Sequence, residues 1–210
     1  MAMKLHTDIL PGQQKILFDI LAKQTWIAQF YLAGGTSLAL QIAHRQSVDF
    51  DFFTKNNFDN RDILEKLRDL GKFELFNEAH NTINGLLNDV RISFFKYNYP
   101  LLNSFYRHAN LAVADMTDIA LMKLEAISGR GSKKDFIDLY FLLRYFSLPE
   151  LFEKYPMKYG IEISNHYHLL KSLAYFEDAE QQPMPKMFDN VSWKEIKQNI
   201  IAEVKKISAI

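Results

Sequence analysis

The chain contains no cysteine. This excludes disulfides and thiolate metal sites and fits a reducing cytosol. An excess of either charge is also missing, because 25 Lys and Arg stand against 25 Asp and Glu. Bulk electrostatics therefore does not point to a polyanion partner, while a local basic patch stays open. No stretch approaches the roughly 20 apolar residues that span a bilayer. The opening segment MAMKLHTDILPGQQKIL lacks the apolar run of a signal peptide. The expectation is a cytoplasmic protein with no membrane partner. Glycine and proline are sparse, at 8 and 6, and there are no repeats, low-complexity tracts or Gly/Ser linkers. A chain of 210 residues then reads as one compact unit, or one with a helical extension.

What is present is apolar and aromatic: 48% hydrophobic residues, with 17 Phe and 10 Tyr, enough for a substantial core. Helical spacing of Ile16, Leu17, Ile20, Leu21 and Ile27 predicts a helix over Gln13–Gln29. Phe30–Ala33 reads as a short buried strand broken by Gly34-Gly35, after which Thr36 or Ser37 can cap a helix over Leu38–His44. Ser47–Phe53 alternates strictly, with Val48, Phe50 and Phe52 on one face and Asp49 and Asp51 on the other. A polar helix over Arg61–Leu70 follows, then strands over Phe73–Glu78, Thr82–Leu87, Asp89–Tyr97 and Ala112–Ala114. From Asp115 the pattern turns helical. One helix ends at Gly129, a second carries Phe136 to Leu143, and later ones cover Leu148–Tyr155, Ile163–Phe176 and Trp193–Ile207. The expected fold class is α+β: a mixed sheet flanked by helices over residues 1–114, then a helical bundle over 115–210.

The informative stretch is AGGTSLALQIAHRQSVDFDFF, Ala33–Phe53. Glycines let a backbone approach a phosphate with no Cβ in the way. The helix N-terminus behind them offers unpaired N–H groups and the positive end of a dipole. Thr36 can add a hydroxyl. Residues i and i+2 on a strand share a face, so Asp49 and Asp51 converge, and two carboxylates without thiolates suit a hard cation such as Mg²⁺ or Mn²⁺. Each part alone is weak: glycine pairs are common turn chemistry, and a DxD on a strand is usually a solvated face. Here the residues between the acids are apolar, so both carboxylates lie on a half-buried strand and repel unless a cation joins them. Arg45 can pair with these acids structurally or contact phosphate.

GGTSLAL followed by HRQSVDFDFF resembles the signature of DNA-polymerase-beta-like nucleotidyltransferases, in which a Gly-Gly-Ser/Thr turn precedes an acidic pair. More narrowly, the chain resembles the AbiEii/AbiGii toxin family, the toxin half of a bacterial abortive-infection system. DMTDIALMKLEAISGRGSKKDFIDLYFLL, Asp115–Leu143, carries the second motif: Lys123, Ala126, Arg130, Lys134, Asp135, Asp138 and Leu139 match it. The resemblance covers roughly Leu32 to Arg144, about half of the chain. It implies metal on Asp49 and Asp51, catalytic weight on Lys123 and Asp135, nucleotide contacts at Gly34, Gly35, Thr36, Ser37, Arg45 and Arg130, and a nucleoside triphosphate as substrate. It also implies a cognate antitoxin and an acceptor that can be tRNA. On spacing alone, Lys123 and Arg130 point from one helix face, and Asp135 and Asp138 can pair with them or assist proton transfer. An interhelix salt-bridge network is at least as good a reading of Asp138. Lys123, Arg130, Lys133 and Lys134 form the basic cluster expected near the site.

One departure stands out. The resemblance implies a third carboxylate on a neighbouring strand, and in NDVRISFF the outward set Asp89, Arg91 and Ser93 puts serine there. Asp89 could substitute from the strand's start. The leading function is nucleotidyl transfer to an acceptor. The alternatives are a catalytically impaired Mg–NTP-binding module and, further off, a purely structural interaction protein.

Overall fold

The computed structural model describes residues 5–161 and 165–208. The chain divides into two compact units. One holds the residues up to Pro100 together with Ser104–Asp115, and the other holds Leu101–Asn103 and everything from Met116 on.

The first unit is built on seven strands among the described residues: β1 (Tyr31–Ala33), β2 (Phe50–Thr54), β3 (Phe73–Ala79), β4 (Thr82–Leu87), β5 (Val90–Lys96), β6 (Tyr106–His108) and β7 (Leu111–Val113). They form one mixed sheet in the order β3-β4-β5-β2-β1-β7-β6. β2 pairs parallel with β5 and β1 with β7, while β1–β2 and the three hairpin pairs β3–β4, β4–β5 and β6–β7 are antiparallel. Alternation sends Val90, Ile92 and Phe94 of β5, and Phe50 and Phe52 of β2, into the core. Phe94 is its hub, with ring centroids 4.9 Å from Phe30, 5.2 Å from Phe52 and 6.0 Å from Trp26. Helices α1 (Gly12–Ala22) and α3 (Asn60–Asp69) add Leu17, Phe18, Leu21, Ile63, Leu64 and Leu67 to the same cluster. Asp59 caps α3 by accepting from the Arg61 amide at 2.9 Å.

The helix expected over Gln13–Gln29 is instead α1 and a separate 3₁₀ turn, Trp26–Gln29. The Ala22 carbonyl, left without a helical donor, accepts from the Asn110 amide at 3.2 Å. The spacing of Ile27 fits a continued helix, but the break carries both Trp26 and Ile27 onto the sheet. β6 was not visible in the sequence: its three residues are half-buried or exposed, and pairing with β7 alone defines it. Asn88 and Asp89, with φ of +50° and +63°, make the two-residue turn between β4 and β5.

The second unit is helical: α4 (Met116–Gly129), α5 (Lys133–Leu142), α6 (Leu148–Tyr159), α7 (His166–Leu173), α8 (Glu177–Glu180) and α9 (Trp193–Ser208). α6 runs past Tyr155 and through Pro156 to Gly160, whose φ is +88°. Of the helix expected over Ile163–Phe176, Ile163 and Ser164 lie outside the described residues, and the rest holds α7 and the residues that lead to α8, which Phe176 caps. A fully buried ion pair, Lys158 Nζ to Asp118 Oδ1 at 2.6 Å, ties α6 to α4. Asp118 also accepts from the amides of Leu102 and Asn103 at 3.1 Å. Burial pulls the Lys158 ammonium below its ordinary range, against the pull of Asp118. Removing one partner of such a pair leaves a buried charge alone, at a cost of about 3–5 kcal/mol. The architecture is therefore α+β, with a sheet unit followed by a helical one, as the change of periodicity near residue 115 predicts.

Candidate active site

The first motif lies at a junction of β1, β2, β5 and the helix α2 (Gly34–Ile42). Core-directed Phe50 and Phe52 turn Asp51 to the opposite face of β2, where it stands opposite Ala33 on β1 and Ser93 on β5. Ser93 in turn stands opposite Asn84 on β4. Asp49 lies one residue before the first paired residue of β2, because the strand is shorter than the Ser47–Phe53 expected. Both carboxylates are half-buried.

The glycines do more than break β1. α2 starts at Gly34 itself, so both glycines occupy its first turn. Gly34 has a φ of +75°, and a Cβ there would stand 3.3 Å from Asp51 Oδ2. The Asp51 carboxylate thus sits beside the opening of the helix. Gly35 has a different neighbour: its Cβ would stand 2.4 Å from Arg45 Nη2 and 3.2 Å from Ser47 Oγ. Only a residue without a side chain leaves room for that guanidinium. Arg45 is 2% exposed and donates from Nη1 to the Gln46 carbonyl at 3.1 Å.

Thr36 and Ser37 do not cap α2. The cap position is Ala33, which makes no side-chain cap bond. Thr36 Oγ1 donates to Ser47 Oγ at 2.9 Å. Ser37 is fully buried, and Gln41 Nε2 donates to its carbonyl at 3.1 Å and to the Ala114 carbonyl at 3.0 Å. Helix formation takes both hydroxyls into the interior, so the backbone of the first turn is what α2 offers an anion. Ser47 was missed from the sequence. Its hydroxyl joins Thr36 to the loop that carries Arg45, and its signal, a lone serine before the acidic strand, was too common to mark it.

Asp89 does not replace the third acid. It is exposed on the β4–β5 turn, four residues before Ser93, which at about 3.3 Å per strand residue is roughly 13 Å away.

The second motif lies in the helical unit. Lys123 Nζ bonds Asp135 Oδ1 at 2.9 Å and Asp138 Oδ2 at 2.7 Å, and all three side chains are buried. Arg130 Nε reaches Asp135 Oδ2 at 3.0 Å and its Nη2 reaches Oδ1 at 3.3 Å. Ser132, the N-cap of α5, donates to Asp135 Oδ2 at 2.6 Å. Burial alone would raise the Asp135 pKa, but Lys123, Arg130 and Ser132 outweigh it and hold it at about 2. Two cations and two carboxylates thus form one closed network across α4 and α5. Ser132 completes it, and the capping position alone would have marked this residue.

The expected basic cluster is not a surface. Lys123 is spent inside the network. Lys133 is buried, with Nζ donating to the Glu180 carbonyl at 3.1 Å and to that of Gln182, over the Trp193 ring. Of the four, the Arg130 side chain, 71% exposed, and Lys134 face solvent.

Comparison with known proteins identifies relatives of the chain and of its fold. Residues 15–100 match the family model described as nucleotidyl transferase AbiEii toxin, type IV toxin–antitoxin system. An uncharacterised protein of Aquifex aeolicus, aq_aa25, is 39% identical over 185 residues, covering 84% of this chain and 86% of that protein. The fold is similar to that of MenT4, a nucleotidyltransferase toxin of Mycobacterium tuberculosis H37Rv. That match has a TM-score of 0.56 and 12% identity, covering 93% of this chain and 86% of that one. It is similar also to JHP933 of Helicobacter pylori, with a TM-score of 0.53 and 16% identity, covering 95% and 94%. With the family match lying over the unit that carries Gly34, Gly35, Asp49 and Asp51, the chain belongs to the AbiEii family of nucleotidyl transferase toxins.

Proposed function

We propose that the chain transfers a nucleoside monophosphate from a nucleoside triphosphate to an acceptor hydroxyl, releasing pyrophosphate, at the junction of β1, α2 and β2. The observation that carries this reading is the Asp51 carboxylate set beside the opening turn of α2, with Gly34 leaving no side chain between them. A helix N-terminus suits phosphate. A carboxylate and a triphosphate share one place only with a cation between them.

Among the described residues no group of three or more His, Cys, Asp or Glu could hold a metal. Asp49 and Asp51 alone suit Mg²⁺, or Mn²⁺, which takes one or two carboxylates from the protein and completes its shell with water and substrate phosphates. When bound, such a cation neutralises charge on the transferring phosphoryl group. Asp49 and Asp51 would hold it. The amides of Gly35 and Thr36 bind the β/γ-phosphates, and Arg45 packs behind Gly35 and fixes the turn. Lys123, Asp135 and Arg130 enter through the family motif. With a pKa of about 2 and both oxygens engaged, Asp135 is poorly suited to take the acceptor's proton. Its part is positioning: it orients Arg130, while Lys123 fixes Asp135. The sheet unit is the nucleotidyltransferase core in this reading. The biological role is that of a toxin countered by an antitoxin, with RNA, tRNA in particular, as the acceptor.

The test is incubation of the purified chain with labelled nucleoside triphosphates, Mg²⁺ or Mn²⁺, and total tRNA. Label should enter RNA with wild type and not with Asp51→Ala. Equal incorporation by Asp51→Ala overturns the assignment of the site. Ser93, abreast of Asp51 in place of an acid, supports the second reading, a Mg–NTP-binding module without turnover. That reading would show as no incorporation with nucleotide-dependent stabilisation intact.

A further inference from the structure

The helical unit contains an open groove of about 320 Å³ that the reading above leaves unused. One wall is the turn between α4 and α5, Gly129-Arg130-Gly131, and the other is the outer face of α7 with the residues just after it. Gly131, at φ +52°, reverses the chain into the Ser132 cap. That reversal sets Arg130 at the corner, where Asp135 grips its guanidinium while the side chain stays 71% exposed. On α7, Leu169 and Leu173 turn inward. Helical spacing then puts His168, Lys171 and Ser172 on the opposite side, with Tyr175 one turn further on, 52% exposed.

Each wall supplies a different part of one recognition chemistry. Arg130, held by Asp135, and the exposed Lys171 face the groove from opposite walls, and Asp178 is the one carboxylate in the lining. Arg130 is the better placed for phosphate because its guanidinium is already oriented. The turn beside it has a glycine on either side, and a Cβ on Gly129 would meet nothing within 4 Å, so a ligand can come close to the backbone. Tyr175 offers an exposed ring at the same groove. Cations for a backbone together with an aromatic face for a base are what a single strand of nucleic acid needs. The chain's zero net charge does not bear on this, because one local patch suffices.

We propose that this groove binds single-stranded RNA, seating a phosphate between Arg130 and Lys171 and stacking a base on Tyr175. The inference deepens the transfer reading by naming where the helical unit holds an RNA acceptor, and it rests on that reading for the identity of the strand as substrate.

The test measures binding of a short fluorescein-labelled single-stranded RNA to the full chain by anisotropy, and locates the bound strand with a thiouridine-containing copy by photocrosslinking. Tyr175→Ala should weaken binding about five-fold or more, the loss expected for one stacked base. Lys171→Glu should weaken it at least as much and flatten the salt dependence by roughly 0.7 in log–log slope for each phosphate no longer neutralised. Crosslinks should fall on α7 and Tyr175. Lys194→Glu makes the same charge change on α9, outside the groove lining, and should leave affinity unchanged. Unchanged affinity in both groove variants, or crosslinks confined to the sheet unit, overturns the proposal. Equal losses for Lys194→Glu and Lys171→Glu also overturn it, since binding would then follow total charge. Competition by inorganic tripolyphosphate, with no effect of Tyr175→Ala, would show a phosphate site and not a nucleic-acid groove. Asp51→Ala separates the two claims: it should bind RNA like wild type while transferring nothing. RNA binding in the groove without transfer by wild type removes the transfer reading and keeps the groove. Transfer that survives in groove variants of full affinity does the reverse.

Discussion

Asp135 is 1% exposed and holds its negative charge against burial because Lys123, Arg130 and Ser132 all favour the ionised form. A carboxylate that ionises at about 2 when folded, and near 3.8 in its ordinary state, stabilises the fold above the ordinary value. That contribution is lost as the pH falls from about 4 through 2, since protonation then costs the folded state more than the unfolded one. The separation corresponds to about 2 kcal/mol, an upper figure because Arg130 is largely solvated. Asp135→Asn should therefore be less stable than wild type at neutral pH, and the gap in urea midpoint should narrow on acidification towards pH 2. A gap that stays constant over that range would show that the charge of Asp135 contributes nothing. The motif residues Lys123, Arg130, Asp135 and Asp138 were legible in the sequence as a set. Their pairing in an interhelix network was legible as an alternative to function, and the meeting of the two helix faces is what decided it.

At the scale of elements, the site depends on how β1 ends and on how β2 lies against β5. Gly34 is the residue where β1 becomes α2, and its left-handed backbone brings the helix start to Asp51. Gly34→Ala should cost about 1–2 kcal/mol through the backbone alone, lowering the melting temperature by roughly 2–8 °C. The added methyl should also press on the Asp51 carboxylate, so nucleotidyl transfer should fall by more than the loss of folded protein explains. Activity per folded molecule equal to wild type would show that this approach of Gly34 to Asp51 is unimportant. The β2–β5 register gives a second expectation. Ser93→Asp would set a buried carboxylate abreast of Asp51, and without metal the two should repel and lower the melting temperature. Mn²⁺ or Mg²⁺ should then raise the melting temperature more in this variant than in wild type. Equal shifts in both would mean that the cation does not bind at this row of the sheet. The alternation of SVDFDFF and NDVRISFF pointed to these strands, and pairing placed Ser93 beside Asp51 and carried Asp89 to the far end of its strand.

For the whole molecule, the two units hold themselves together differently. The sheet unit buries an apolar, aromatic cluster around Phe94. The helical unit adds two buried charge clusters, Lys123–Asp135–Asp138 and Lys158–Asp118. Acid should therefore disrupt the helical unit first, since Asp135 must be protonated at the expense of its bonds to Lys123, Arg130 and Ser132. The chain offers a reporter for each: Trp26 packs on Phe94 in the sheet unit, and Trp193 packs on Phe136 and Phe176 in the helical one. With the other tryptophan replaced by Phe, the Trp193 emission should change at a higher pH than that of Trp26. Coincident transitions would mean that the two units lose structure as one.

The sequence by itself determined the class of the fold and the residue types of its chemistry. Period-two alternation and helical spacing are local consequences of backbone geometry, so the strands other than β6, most of the later helices, the acidic pair at β2 and the change at residue 115 could all be read from one stretch at a time. The tertiary structure alone decided which of those residues remain available. Thr36, Ser37 and Lys133 carry the right groups for phosphate, but helix packing turns the first two inward and the carbonyls of Glu180 and Gln182 occupy the third. Burial, partner and register are set by segments distant in sequence, here Ser47, Gln182 and β5, so no reading along the chain could assign them.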